Sequence, residues 1–140
     1  MSKKKVCISF DYTDDNHFKN LLSAWDANTN FEFSFDDLTP TEINSENYSR
    51  VKAVITQKIA AADYLLVVIG KNANKVHPRQ KEIGSKNWIN WEIKKAKELK
   101  KKLIAVKLNK SFESPDEIKD SGAKWSMSFT KDGIINALNQ

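Results

Sequence analysis

A single cysteine, Cys7, stands in 140 residues, so no intramolecular disulfide can form. Chains that rely on disulfides are made in oxidising compartments, and this scarcity points to a reducing one. Long apolar runs are absent as well. None approaches the roughly 20 residues of a membrane-spanning helix. The opening Met1-Ser-Lys-Lys-Lys5 leads at once into the run Val6 to Phe10. That run is too short for a signal-peptide core, so a cytosolic protein with no membrane partner is expected. Arginine is scarce too, with only Arg50 and Arg79. Base and phosphate readout depend heavily on the arginine fork. The net charge of +5 therefore does not point to nucleic acid. The positive charge gathers at Lys3–Lys5, Lys94–Lys102 and Lys107–Lys110. The middle block suits the polar face and C-terminal end of a helix. Neither His17 nor His77 is spaced with the cysteine or the other histidine as a zinc site requires, so no metal is expected.

The chain holds ample core-forming material. Apolar residues make up 40% of it, including four tryptophans, three tyrosines and seven phenylalanines. Residues 1–140 are expected to form one domain. Short apolar runs alternate with helical periods. Val6 to Phe10 reads as a strand. Asp14 or Asp15 can cap a helix with Phe18, Leu21, Leu22 and Trp25 at helical spacing. Phe31 to Phe35 alternates like a strand near a sheet edge. Ser45 can cap a helix lined by Tyr48, Val51, Ile55 and Ile59. Tyr64 to Ile69 is continuous and apolar, as in a central parallel strand. Leu103 to Leu108 reads as a further strand. Trp125 to Phe129 is a short candidate for a fifth, and Asp132 to Leu138 for a closing helix. This alternation predicts a three-layer, doubly wound α/β sandwich with a central, mostly parallel sheet of four or five strands. Ligands in such folds collect at the carboxyl ends of the strands, beside a switch in strand order. The polar segment Lys71 to Gly84 reads as a long mobile loop. It is either a lid over such a site or a surface excursion.

Glycine is scarce where nucleotide-binding folds need it. The loop after the first strand, Ser9-Phe-Asp-Tyr-Thr-Asp-Asp15, has none and carries three carboxylates. A phosphate cradle wants glycine amides and a positive field. That excludes a P-loop and a dinucleotide-binding GxGxxG turn. A phosphoacceptor domain would place an aspartate at the end of the third strand, where this chain has Ile69-Gly-Lys71. Cys7 lies inside a strand and reads as a small core residue rather than a nucleophile.

The most informative position is Glu92. The segment Ser85 to Leu99 reads as an amphipathic helix. At about 100° per residue, Trp88, Leu99, Ala96, Ile89 and Ile93 share one arc. Glu92 falls inside that arc, while the lysines and Asn90 fall opposite. Burying an unpaired carboxylate costs several kcal/mol, or its pKa rises until it is neutral. Such a group has a partner, for instance a lysine from a neighbouring element, or a task.

The combination Val6-Cys-Ile-Ser-Phe-Asp-Tyr12 with Ser85-x-x-Trp88-x-x-x-Glu92 resembles the TIR superfamily. Within it, the pattern is similar to the bacterial TIR-like branch that includes the ThsB subunit of Thoeris antiphage defence. The likeness spans nearly the whole chain and implies the TIR, flavodoxin-like arrangement. It also implies an enzyme, an NAD⁺ nucleosidase or ADP-ribosyl cyclase. NAD⁺ would be its substrate, with no cofactor, and its product a cyclic ADP-ribose type signal. The family's catalytic glutamate maps onto Glu92, with Ser85 and Trp88 matching the motif upstream. Trp88 could wall the ribose or nicotinamide pocket, or simply pack in the core. Phe10 could stack on a ring. Asp11 and Asp36 stand where ribose hydroxyls could be bound, and Lys71 could meet a phosphate. The resemblance also brings self-association on activation. A chain of this size leaves no room for an output domain, so a separate effector protein responding to the cyclic product is expected. Two other readings stand beside the enzyme: a non-enzymatic TIR adaptor, and a nucleotide-binding module that senses a ligand.

Overall fold

The computed structural model describes residues 4–10, 24, 33–37 and 48–139. Five parallel strands form one sheet. They are β1 (Lys4–Ser9), β2 (Phe33–Asp37), β3 (Tyr64–Ile69), β4 (Lys102–Lys107) and β5 (Lys124–Ser126), in the order β2-β1-β3-β4-β5. The helices with both ends among the described residues are α1 (Tyr48–Ala61), α2 (Gln80–Ile83), α3 (Trp88–Glu98) and α4 (Lys131–Leu138), with a 3-10 turn at Asp116–Ile118. The expected helix through Phe18 and Trp25, its caps at Asp14 or Asp15, and the Ser45 cap lie outside the described residues.

Strand β3 is buried at all six positions, which explains why its sequence is an unbroken apolar run rather than an alternating one. Side chains of each strand alternate between two faces. Cys7, Leu65, Val67, Ile69, Leu103 and Ala105 pack against α1 and α3. Val6, Ile8, Leu66, Val68, Ile104 and Val106 pack on the other face, against Ile134, Ala137 and Leu138 of α4. The result is an α/β/α sandwich of the doubly wound type. At the amino end of the sheet, the Asp63 amide donates to the Lys5 carbonyl and the Lys5 amide to the Asp63 carboxylate. That exchange pins the starts of β1 and β3 together.

Three expectations need correction here. The segment Lys71–Gly84 is no loose excursion. It turns into α2, buries Ala73, Asn74 and Ile83, and closes with a left-handed Gly84 at φ 85°, a conformation glycine adopts without steric cost. Backbone bonds tie it down, including His77 N–H to the Lys86 carbonyl at 2.8 Å. Helix α3 begins at Trp88 rather than Ser85. Asn87 is its N-cap, with the side-chain oxygen accepting from the Asn90 amide at 2.8 Å, which satisfies one orphan N–H of the first turn. Leu99, expected on the buried arc, is instead the C-cap of α3 and 36% exposed.

Candidate functional site

The strand order reverses at β1, because the chain passes to β2 on one side and then returns to β3 on the other. The carboxyl end of β1 is therefore the switch point where sheets of this kind hold ligands. Ser9 is the last residue of β1 and lies across from Val67 in β3. It has the same alternation parity as Cys7, so its side chain points to the α1 and α3 face. There its hydroxyl donates a 2.6 Å hydrogen bond to Oε1 of Glu92. Ser9 is 1% exposed and Glu92 4%. Among the described residues, Glu92 is the only charged side chain that is buried. The helix wheel had singled out this carboxylate, and the structure delivers it to the switch point.

The other sequence-predicted positions fall in different places. Trp88 is half-buried at the start of α3. It stacks on Tyr48 at 6.0 Å and 14° and meets Trp91 edge-on at 5.8 Å. Both Trp88 and Tyr48 open helices that return from the carboxyl side of the sheet, so this aromatic pair stands on the same rim as Ser9. Trp88 joins the core cluster there, the packing alternative left open by the sequence. Phe10, the residue after β1, is buried and packs in the cluster of Val6, Ile8 and Phe33. Lys71 is exposed, two residues beyond the end of β3, and Ser85 is half-buried ahead of α3. Asp11 and the side chain of Asp36 lie outside the described residues; the Asp36 backbone is paired opposite Cys7. Cys7 is a core residue, its thiol donating to the Lys58 carbonyl.

Three asparagines form a clasp around the first turn of α3 that sequence reasoning missed. Asn90, assigned to the solvent side by the helix wheel, is 2% exposed. Its amide donates to Oδ1 of Asn74 and of Asn87, and its own oxygen accepts from the Glu117 backbone. Asn87 donates to the carbonyls of Ala73 and Lys75. Asn74 donates to Asp116 and accepts from the Asp116 amide. Every polar atom of the Asn90 side chain is thus satisfied, as a buried network requires. The signal in the sequence was the Asn87-x-x-Asn90 spacing, which joins an N-cap to the residue it caps. The Asn74 amide, with Lys86 beside it, holds the Asp116 carboxyl below the usual carboxylate range. The α3 lysines Lys95 and Lys97 pair with Glu98 and Glu117. A cavity of about 440 Å³ opens beside α1, lined by Lys5, Cys7, Ser34, Gln57 and Lys58. Lys5 and Ala62 place it at the amino side of the sheet, away from the switch point.

The family model for the Thoeris protein ThsB, TIR-like domain, matches residues 7–113. The chain belongs to that family. Its matched span contains Ser9, Trp88, the asparagine clasp through Asn90, and Glu92. No curated protein matches this ThsB-type TIR-like chain. Its fold is similar to that of a 2-deoxyribosyltransferase from the psychrotolerant bacterium Bacillus psychrosaccharolyticus. The TM-score is 0.56 at 12% identity, over 86% of this chain and 84% of that one. A 2-deoxyribosyltransferase from Leishmania mexicana gives a TM-score of 0.49 at 13% identity, over 76% of this chain and 65% of that chain. At 12% identity the first likeness is one of architecture.

Proposed function

We propose that this TIR-like domain cleaves the nicotinamide–ribose bond of NAD⁺ and returns a cyclic ADP-ribose type product as a signal in antiphage defence. The observation that supports it is the buried Glu92 carboxylate at the carboxyl end of β1. When the C1′–N1 bond breaks, its electron pair goes to the nicotinamide nitrogen, which leaves neutral. The ribose C1′ then carries oxocarbenium character. A carboxylate fixed nearby stabilises that charge and accepts hydrogen bonds from the ribose hydroxyls, and in a water-poor site this is worth several kcal/mol. No metal and no base dyad is called for, because nicotinamide is already a cationic leaving group. Water captures C1′ to give hydrolysis, or a nucleophilic atom of the same ADP-ribose captures it to give a ring. The name of the Bacillus psychrosaccharolyticus enzyme describes transfer of a 2-deoxyribosyl group, so the architecture is compatible with glycosyl-transfer chemistry.

In this reading NAD⁺ is the substrate, self-association completes the site on activation, and a separate effector protein reads the product. Lysates of phage-challenged cells carrying wild type or Glu92→Gln test it, with nicotinamide release measured and products identified by mass spectrometry. Wild type should release nicotinamide and form a cyclic product, and the variant should be slower in both by about 10² or more. Equal nicotinamide release by both would remove Glu92 from the chemistry. Partner binding unchanged in the variant, with no turnover in either protein, would mark an adaptor. Thermal stabilisation by nucleotide without nicotinamide release would mark a sensor.

A further inference from the structure

We propose that Ser9 is a positioning residue of this site, its hydroxyl fixing the direction in which the Glu92 carboxylate is presented. The inference rests on reading Glu92 as the site carboxylate. Ser9 and Glu92 come from β1 and α3, 83 residues apart, and meet at 2.6 Å. That is the short distance expected when a hydroxyl donates to a carboxylate. Cys7, the other buried residue of β1 on this face, is nearly apolar, and the strand residues beside it, Leu65 and Val67, are apolar. A hydroxyl at 1% exposure in such company has to find an acceptor, and Glu92 is the one it finds.

The bond is not needed to dock the helix. Helix α3 is already held on its far side by the Asn74, Asn87 and Asn90 clasp. Its apolar residues Ile89, Ile93 and Ala96 also bury it against α1 and the sheet. With the helix held independently, what the Ser9 bond adds is control of the side chain. A glutamate has three rotatable torsions, and a site carboxylate must be held to within about half an ångström to act. Ser9 supplies that restraint from the rigid end of a central strand.

The test uses the full chain, labelled with ¹³C at glutamate carboxyls, as wild type, Ser9→Ala and Ser9→Thr. The Glu92 resonance is assigned by its disappearance in Glu92→Gln. Ser9→Ala should move that resonance, and Ser9→Thr, which keeps the hydroxyl, should bring it back. In a nicotinamide-release assay Ser9→Ala should lower kcat by about tenfold or more with KM changed by less than about threefold, and Ser9→Thr should recover most of the loss. Should Ser9→Ala not fold, the near-isosteric Ser9→Cys, a much weaker donor, takes its place in both assays. An unmoved Glu92 resonance in a folded donor-deficient variant would overturn the proposal, and so would failure of Ser9→Thr to restore it. If wild type releases no nicotinamide, the NAD⁺ reading falls, while the resonance still decides whether Ser9 orients Glu92.

Discussion

Glu92 is buried with one of its oxygens accepting from Ser9, and two roles for it are separated by measurement. A carboxylate kept for stability should be missed by the fold when removed. One kept for chemistry should not, since a buried carboxylate carries a desolvation cost that a neutral group of equal size avoids, and residues kept for activity are often unfavourable for stability. Glu92→Gln retains a carbonyl oxygen to accept from Ser9. Its melting temperature should equal or exceed that of wild type by thermal scan, whereas a fall of many degrees would mark a structural glutamate. The wheel found Glu92 because a charged residue among Ile89, Ile93 and Ala96 is conspicuous. It misplaced Asn90 for the same reason. A polar side chain looks solvent-facing until the partners that satisfy it, here Asn74, Asn87 and Glu117, are brought in by distant turns.

Elements of this protein end on specific local devices. Helix α3 stops at Lys100, which adopts φ 59°, while the Lys101 amide reaches back to the Ala96 carbonyl at 2.9 Å. That left-handed stop favours glycine. Lys100→Gly should therefore stabilise the fold by roughly 0.5–1 kcal/mol, read from a denaturant midpoint. The clasp at the other end works in the opposite sense. Asn90→Ala leaves the Glu117 amide without its acceptor, while Asn74 Oδ1 keeps the Asp116 amide and Asn87 Oδ1 keeps the residue-90 amide, and a stranded buried polar group costs about 1–3 kcal/mol. A loss of about that size in chemical denaturation is expected, with the Asp116–Ile118 turn released first in hydrogen exchange. Asp116 adds a pH dependence. Its folded pKa lies below the unfolded value because the Asn74 amide and then Lys86 favour the charged form. Its contribution is present above the ordinary carboxylate range and lost as pH falls through the folded pKa. Protection of the Asp116 and Glu117 amides should thus weaken below about pH 4, and Asp116→Asn should remove that response. The bounds of β3 were readable because burial on both faces leaves one continuous apolar run. The start of α3 was not, because Ser85 and Asn87 are both competent caps and only the chain around Ala73 and Lys75 chooses between them.

Across the whole molecule, the alternation of runs and helical periods sufficed for the layered class. The order of strands was beyond it, since no residue pattern states that β1 lies between β2 and β3. That order matters for function, because it makes the end of β1 a switch point and brings Ser9 within reach of Glu92. Phe10, one residue past the strand, joins the cluster that holds Ile134, Ala137 and Leu138 of α4. The central strand carries the packing. Leu66, with no exposed surface, should cost about 2–5 kcal/mol when cut to alanine, measurable by calorimetry, without altering the Ser9–Glu92 pair on the other face. The central claim is chemical, and nicotinamide release by wild type and Glu92→Gln, compared in proteins of matched melting temperature, tests it most directly. Wild type should release nicotinamide and the variant should be slower by about 10² or more. Equal rates from the two proteins, or no release from activated wild type, would contradict it.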